Sequence, residues 1–425
     1  MLLEKIRLFW RVGLTWKNRG QLFLKIILIS LVITGCSDGL PNEINTDEIV
    51  EDSTISSLDE SDYCEACDIA EVYRDIYDDA VMTNSLGSIE VTQRIISRLG
   101  ENGYVAVDSK NLVDMTESEQ VVEFCKAVDD GKNDKITIIV IMELGFYKYD
   151  LTTEGGVVNV VKGYYQYDKD GYLQNRSTVN YLADKWQYTE DGYLLFEGSY
   201  FLEENYVLTL SDTQEQAAIR ILPLEEKCRV LNQKYILPIG YEQNNLFITN
   251  WSETDFGELD FYDIFDAFYR VLYKQSVPYA ADENIGVGAV YQIPENEFED
   301  IIMAYLNISK ETLRQRTIYS SQDAIYEYRP RGFYEIEYPD IPYPEVVSYT
   351  ENPDGTITLI VNAVYPQGGT SKLFSHKTVI RPLGDDCFQY VSNQMISQED
   401  DFDFWWHSER LTVEEWNEIY GEEDN

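Results

Sequence analysis

Apolar residues recur at helical spacing in the first stretch that is predicted to fold. Four of them follow Ser88, which can cap a helix: Ile89, Ile95, Ile96 and Leu99. A short strand is predicted over residues 104–107 and a buried strand over 136–144. Between them, residues 116–119 read as a capping box that opens a second helix. This strand–helix–strand order predicts a small α/β layer.

The pattern changes to alternating aromatic and polar positions over residues 146–210. Two similar hairpin units occur there, with Asp-Gly turns at Gly171 and Gly192. Glycine accepts the positive φ that tight turns require, so these turns predict an aromatic-rich antiparallel β-meander.

Residues 211–325 are predicted to be mainly helical, with Pro294 at one helix start and Ser309 as another cap. The longest apolar stripe consists of Phe261, Ile264, Phe265, Phe268 and Leu272. Alternation returns over 346–395, around a turn at Gly355, and predicts a second antiparallel β-meander. The predicted fold class is therefore α+β.

These patterns divide the chain into segments. The predicted segments are a lipoprotein signal peptide (1–35), an acidic tether (36–87), the α/β layer plus β-meander (88–215), a mainly helical segment (216–329), the C-terminal β-meander (330–398) and an acidic tail (399–425). A length of 425 residues is enough for two or three domains of ordinary size.

Charge narrows the range of partners. The chain has 33 Lys and Arg against 76 Asp and Glu, a net charge of −43. Binding to a nucleic-acid backbone requires clustered basic residues, so this class of partner is excluded. Anionic lipid headgroups should also repel the chain, which leaves an attached anchor as the expected route to a membrane.

The amino terminus has a different composition from the rest. Six basic residues and one acidic residue occur in positions 1–35, and an apolar run, Ile26–Ile33, leads to Gly35 and Cys36. This arrangement is typical of a signal peptide. Ile33-Thr34-Gly35-Cys36 resembles a bacterial lipobox, which implies cleavage between Gly35 and Cys36 and a diacylglycerol-type lipid on the Cys36 sulfur. An uncleaved transmembrane anchor is the alternative, but the apolar run is shorter than a membrane span.

The predicted location is the extracytoplasmic face of the cell membrane. After cleavage, 27 basic and 75 acidic residues remain, a charge of −48. Fourteen acidic residues and Arg74 as the one basic residue lie between Glu43 and Ala80. Self-repulsion should keep a chain of this kind extended and solvated, which is why residues 36–87 are predicted to be a tether.

Lipidation of Cys36 would leave five of the six cysteines as thiols or for disulfide pairing, and an odd number cannot all pair with one another. Cys64 and Cys67 have thioredoxin-like spacing, but their neighbours are acidic, and acidic neighbours disfavour a reactive thiolate. A disulfide or an idle thiol pair is therefore the preferred interpretation. No zinc or other metal site is predicted, because a second close Cys or His pair is absent from the sequence.

Evidence for catalysis is sparse. The chain has two histidines, His376 and His407, and lacks a recognisable nucleophile motif. Its many carboxylates leave open a carboxylate-dependent hydrolase acting on cell-wall glycan, although no pair stands out. The 33 tyrosines suit contacts with a wall glycan or a peptide, or simple packing. Five of them follow one another in a proline-containing stretch: Tyr326, Tyr328, Tyr334, Tyr338 and Tyr343.

Several short segments carry a resemblance to a known family. They are Tyr235–Tyr241, Asn244–Phe247, Asn250-Trp251, Leu259–Tyr262, Asp354–Leu359 and Ser375–Arg381. In these segments the chain resembles a family of functionally uncharacterised lipoproteins from Clostridia-type Gram-positive bacteria, most clearly over residues 220–395. The resemblance implies a location in the cell envelope and assigns no catalytic residue and no cofactor.

The leading hypothesis is a lipid-anchored extracytoplasmic protein without enzymatic activity, acting as a binding or structural component of the envelope. The first alternative is the carboxylate-dependent hydrolase. The second is a solute-binding lipoprotein of a transporter, a class usually built from two doubly wound lobes, to which two β-meanders are a poor fit.

Overall fold

A computed structural model of the chain describes residues 60–280, 288–331, 340–384, 387–397 and 404–420. All of them belong to one compact unit, Ser53–Asn425. The predicted signal peptide and residues 36–59 of the predicted tether lie outside the described residues.

The first half of this unit is built on a seven-stranded sheet whose order follows the chain. Its strands are β1 (Val105–Asp108), β2 (Asp134–Met142), β3 (Gly145–Glu154), β4 (Val157–Tyr167), β5 (Leu173–Tyr188), β6 (Tyr193–Tyr200) and β7 (Thr213–Arg220). The first pair is parallel, with Val105 opposite Ile138, and all later pairs are antiparallel. The predicted α/β layer and the first β-meander therefore form one continuous sheet.

Helices cover both faces of this sheet. They are α1 (Glu60–Val72), α2 (Arg74–Met82), α3 (Ile89–Glu101) and α4 (Ser118–Asp129), and a short helix, α5 (Glu203–Thr209), connects β6 to β7. Successive side chains of a strand point to opposite faces. Ile139 and Ile141 accordingly pack with α1–α3, whereas Ile138 and Val140 pack with α4.

The second half combines helices with two smaller sheets. Its helices are α6 (Glu226–Leu231), a π-helical turn (Asn232–Ile236), α7 (Phe261–Tyr273), α8 (Glu295–Tyr305), α9 (Lys310–Gln315), a 3₁₀ turn (Pro366–Gly368) and α10 (Val413–Tyr420). Its strands are β8 (Trp251–Ser252), β9 (Tyr291–Pro294), β10 (Tyr319–Ser320), β11 (Ile325–Tyr328), β12 (Tyr343–Glu351), β13 (Ile357–Tyr365), β14 (Thr370–Gly384) and β15 (Cys387–Ser397). The sheet orders are β10–β11–β9 and β12–β13–β14–β15–β8, and both sheets share one hydrophobic core with α6–α8.

The predicted fold class, α+β, is confirmed. Gly171 and Gly192 have φ values of 79° and 85°, as the Asp-Gly hairpin turns require. Ser88 caps α3 by accepting a hydrogen bond from the Val91 N–H, and Ser309 caps α9 in the same way. Local signals of this kind are reliable because the contacts they need lie within a few residues.

Some of the sequence-based predictions were wrong. The Thr116 hydroxyl does not cap α4; it accepts the Ala106 N–H and donates to the Tyr104 carbonyl, which fastens it to β1. Residues 213–220 form a strand within the stretch predicted to be helical, because pairing with β6 overrides their weak local preference. Leu272 is exposed rather than part of the buried stripe of α7.

Residues 60–82 of the predicted tether form α1 and α2, which pack against the sheet. Their buried residues recur every three or four positions: Ala66, Ile69, Ala70, Tyr73, Ile76, Tyr77 and Ala80. This periodicity places the acidic residues on the outer face, so their charge does not prevent folding.

Candidate functional site

The residues predicted for signal cleavage and lipidation, Gly35 and Cys36, lie outside the described residues, and their roles stay predictions. Cys64 and Cys67 both lie in α1. Cys67 is half-buried with a free thiol, and burial together with this thiol raises the pKa of Tyr63. The side chain of Cys64 is outside the described part of the chain, so the predicted thiol pair also stays a prediction.

Within the described ranges, no helix has the length and apolar character needed to cross a membrane. The same ranges contain no group of three or more His, Cys, Asp and Glu side chains placed to hold a metal ion. Buried polar and charged side chains instead gather in hydrogen-bonded clusters around Asp263, His376 and Glu345.

The Asp263 cluster is built on the first two turns of α7. The helix begins at this point because the Asp260 carboxylate accepts the N–H groups of Tyr262 and Asp263, at 2.8 and 3.1 Å. Asp263 is 1% exposed, and Asp266 lies almost one turn further along. Two carboxylates are thus held close together at the edge of an aromatic core.

Two arginines neutralise these carboxylates. Arg331 binds both oxygens of Asp263, at 3.0 and 2.6 Å. Arg410 bridges the pair, donating from Nε to Asp263 at 2.9 Å and from its terminal nitrogen to Asp266 at 2.7 Å. The hydroxyl of Tyr328 donates to the other Asp266 oxygen at 2.8 Å. Every oxygen of the two carboxylates therefore accepts at least one hydrogen bond.

The cluster also attaches the C-terminal segment, residues 404–420, to the rest of the fold. Arg410 donates to the Arg329 carbonyl at 2.6 Å, and Arg331 donates to the Ser408 carbonyl at 3.0 Å. Next to them, Trp406 is 2% exposed and donates its indole N–H to the Tyr241 carbonyl at 3.2 Å. The ion pairs and hydrogen bonds of the cluster thus hold this segment in place next to the buried ring of Trp406.

Burial shifts the titration of the groups in this cluster. It raises the pKa of Asp266, although Arg410 and Tyr328 act in the opposite direction. It also raises the pKa of Asp260, and the Asp263 charge adds to that effect. Burial lowers the pKa of His407, whose Nε2 lies 3.9 Å from Asp263 and makes no hydrogen bond. A hydrolytic pair would need a carboxylate oxygen free to reach substrate, whereas the oxygens of Asp263 and Asp266 are all engaged.

His376 lies in the centre of the second hydrophobic core and is 0% exposed. Its Nδ1 is 2.8 Å from Oδ1 of Asn393, which can only accept, so Nδ1 carries the proton. Its Nε2, 3.0 Å from the Tyr241 hydroxyl, is then the acceptor. Burial lowers the pKa of His376 to about 3, and its role in this position is structural.

The Glu345 cluster joins the two halves of the unit. Glu345 on β12 accepts hydrogen bonds from Arg220 on β7, from the Tyr193 hydroxyl at 2.8 Å and from the Asn111 amide at 2.5 Å. Glu345 and Arg220 are both nearly fully buried, and Arg220 also lies against the ring of Tyr193. The ion pair between Arg220 on β7 and Glu345 on β12 is therefore bidentate.

The tyrosines singled out in the sequence serve packing where they are described. Tyr326, Tyr328 and Tyr343 are buried, whereas Tyr334 and Tyr338 lie outside the described residues. Tyr326 stacks on Phe298 at a centroid distance of 4.4 Å, and Tyr328 contacts Phe265 edge-on at 6.1 Å. These rings supply aromatic core contacts.

An exposed apolar surface occurs where none was predicted. Around α5, five large side chains are exposed, and none of the α5 residues is buried: Phe201, Tyr206, Val207, Leu208 and Leu210. The sequence contains no signal for it, because Tyr206, Val207 and Leu210 have the helical spacing that a buried helix face would also show. The Asp263 cluster had only a weak signal, the i, i+3, i+6 spacing of Asp260, Asp263 and Asp266.

Comparison with known proteins gives a match to a family model. No curated protein and no solved structure matches the chain. The model of a family described as "Family of unknown function (DUF6070)" matches residues 59–410, which include the Asp263, His376 and Glu345 clusters. The uncharacterised status implied by the resemblance is confirmed, whereas lipid attachment and a Clostridial origin stay predictions. By this match over most of its length, the chain belongs to the DUF6070 family of unknown function.

Proposed function

We propose that this protein is a lipid-anchored, extracytoplasmic component of the cell envelope that binds another molecule and does not catalyse a reaction. The observation that carries the proposal is the order of a basic region, an apolar run and Ile33-Thr34-Gly35-Cys36 at the amino terminus. Two or three acyl chains on one cysteine, at about 0.8 kcal/mol per buried methylene, would hold the mature chain on the membrane.

The position of the fold along the chain supports an anchor of this kind. The first described helix begins at Glu60, so 23 residues separate it from Cys36. Each extended residue spans up to about 3.5 Å, so an anchor at Cys36 would keep the folded unit within roughly 80 Å of the bilayer surface. The mature charge of −48 opposes direct adsorption to anionic lipid, so the acyl chains would have to supply the attachment.

The buried charged groups support a binding role over a catalytic one. Asp263, Asp266 and Glu345 are engaged by arginines, and His376 is enclosed by hydrogen-bonding neighbours in the core. Groups committed in this way stabilise the fold. Within the part of the chain that the structure describes, the exposed apolar side chains around α5 offer a surface for such a contact.

Replacing the lipidated sulfur tests the anchor. The Cys36→Ala variant should leave the membrane fraction for the soluble extracytoplasmic fraction, because it cannot carry the acyl chains that would hold the mature chain on the membrane. Cys67→Ala is the matched control, because it removes a free thiol from the folded part and should leave the protein on the membrane. Retention of the Cys36→Ala variant on membranes, or an unmodified Cys36 in the mass spectrum of the mature N-terminal peptide, would contradict the proposal.

A further inference from the structure

A group of exposed apolar side chains surrounds α5 and is called here the α5 patch. Its members and their exposed fractions are Phe201 42%, Tyr206 41%, Val207 69%, Leu208 64% and Leu210 78%. Single exposed apolar residues are ordinary on protein surfaces, but a contiguous group of them marks a surface that is covered in the working state.

The patch has a defined shape. Tyr200 pairs with Thr213 at the end of the β6–β7 hairpin, and α5 projects beyond that pair. The Asn205 amide donates to the Thr213 hydroxyl at 2.8 Å, and the rings of Phe201 and Tyr206 lie 5.4 Å apart. Leu210 ends the helix with a φ of 57°, a left-handed conformation that is uncommon for residues other than glycine. A preformed projection of this kind loses little conformational entropy when a partner covers it.

The sheet extends the apolar surface toward the same end. Val157 begins β4 and is 55% exposed, and Leu182 on β5 is 56% exposed. Leu182 lies opposite Asn159, and its neighbour Ala183 pairs with Gly198, two residues before Tyr200. The exposed apolar side chains near this end of the sheet therefore come from β4, from β5 and from the β6–β7 connection.

The charge around the patch limits what can cover it. Glu203, Glu204 and Asp212 are exposed beside it, and no Lys or Arg occurs between residues 201 and 219. A second copy of this chain would bring the same negative charge to the contact, and an anionic bilayer would repel it. The complementary surface is an apolar groove bordered by Lys and Arg.

We infer that the α5 patch is the docking surface for a different protein, which receives it in an apolar groove with a basic rim. The inference rests on the binding role proposed above, but it does not depend on the lipid anchor. Leu208 and Leu210 would enter the groove, while Glu203 and Glu204 would face the basic rim. The apolar contacts would supply affinity, and the acidic residues would select the partner and speed its approach.

Site-specific photo-crosslinking in intact cells tests the inference with the full-length protein. A benzophenone amino acid replaces Leu208 in one variant and Met82 in the control, because Met82 is even more exposed, at 78%, and lies outside the patch. The Leu208 variant should form an adduct with a distinct protein at a yield at least about tenfold above the control. Sequencing of the cross-linked peptide should identify apolar residues flanked by Lys or Arg.

Charge reversal then tests the rim. Introducing Glu203→Lys and Glu204→Lys should reduce the Leu208 adduct by about tenfold or more, a loss of roughly 1.4 kcal/mol in binding free energy. Glu101→Lys with Glu123→Lys is the matched control, because it changes the net charge equally at exposed helix positions away from the patch. This control should leave the adduct unchanged.

The following results of the cross-linking and charge-reversal experiments would overturn the inference. An adduct with a second copy of the chain would identify a self-association surface, and an adduct with lipid would identify a membrane contact. A yield no higher than that from Met82, a cross-linked peptide without basic residues, or an adduct insensitive to the reversal at Glu203 and Glu204 would reject the stated partner chemistry. Failure of the anchor would be seen separately, as release of the unmodified protein from membranes.

Discussion

Residues 201–212 and 404–420 are both acidic and rich in apolar side chains, yet one segment is exposed and the other is docked on the core. The docked segment contains four acidic residues and Arg410, and its Trp406 is 2% exposed. The exposed segment contains three acidic residues and no basic one, and its Leu210 is 78% exposed. Apolar composition alone therefore does not decide which segment is buried.

Arg410 accounts for much of the difference. An acidic segment approaches an acidic body against like-charge repulsion, and a guanidinium that bridges Asp263 and Asp266 replaces this repulsion with a charge-assisted contact. The α5 segment has no such cation, which is why we infer that its partner supplies one.

The largest expected effect comes from removing the bridge. Arg410→Met should lower the free energy of unfolding by about 3–5 kcal/mol, because it leaves Asp263 and Asp266 with less compensation for their burial. Urea unfolding measures the change. Arg270→Met, on the helix that carries Asp263 and Asp266, is the control, since the pair of Arg270 with Glu242 is exposed and should contribute no more than about 1 kcal/mol. Equal losses in the two variants would show that the bridge contributes no more to stability than an exposed ion pair does.

The next largest loss of stability should come from changing the buried Trp406. Trp406→Phe keeps the contact with Phe374 but leaves the Tyr241 carbonyl without its indole donor, at a cost of about 2–3 kcal/mol. Trp186→Phe is a suitable comparison, because the Trp186 N–H is buried without a hydrogen-bond partner and only ring volume is lost. If Trp186→Phe destabilised the protein as much as Trp406→Phe, the hydrogen bond would have no special role. Chemical denaturation with fluorescence detection gives both values.

Acid should weaken the core beneath the docked segment. The pKa of His376 is lowered to about 3 in the folded chain, so between pH 6.5 and 3 the unfolded chain binds a proton that the folded chain does not. The resulting stability is present above pH 6.5 and is lost on acidification at about 1.4 kcal/mol per unit, or roughly 2 kcal/mol at pH 5. Urea unfolding at pH 7, 6 and 5 measures this loss, relative to the His376→Gln variant.

The two histidines can be distinguished. Burial also lowers the pKa of His407, so His407→Gln should remove part of the slope and leave the share that belongs to His376. In the folded protein the imidazole resonance of His376 should not move between pH 7 and 5. A resonance that titrates near pH 6.5 would mean that the imidazole is accessible and that the hydrogen bonds to Tyr241 and Asn393 are not maintained.

The smallest effect is expected at the exposed segment. Leu208→Ala should change the stability of the isolated protein by no more than about 0.5 kcal/mol, because this side chain loses little exposed area on folding. Leu313→Ala, at a fully buried position, should cost about 2–5 kcal/mol. A large loss from Leu208→Ala in thermal or chemical unfolding would mean that the α5 patch packs against the body of the protein and is not available to a partner.

Local signals predicted the elements whose contacts are short-range. The Ser88 and Ser309 caps, the Asp-Gly turns and the apolar run of β2 each depend on neighbours in the chain. Predictions failed where a distant strand or helix supplied the contact. Thr116 bonds to β1 instead of capping α4, and residues 213–220 pair with β6 instead of forming a helix.

The clusters follow the same rule. Arg220 and Glu345 are 125 residues apart, and Asp263 and Arg410 are 147 residues apart, so neither pair leaves a pattern in one sequence. The sequence identified His376 as one of two histidines. Its enclosure by Tyr241 and Asn393, however, depends on how β14 and β15 pack on the helical segment.

By itself the sequence determined the α+β class, the hairpin turns and most helix caps, and it carries the N-terminal pattern on which the proposed lipid anchor rests. These features follow from backbone geometry, side-chain periodicity and local charge. The tertiary structure alone decided which carboxylates are clamped, which histidine is held neutral and which apolar segment is exposed, because burial and pairing depend on residues that only the folded chain brings together.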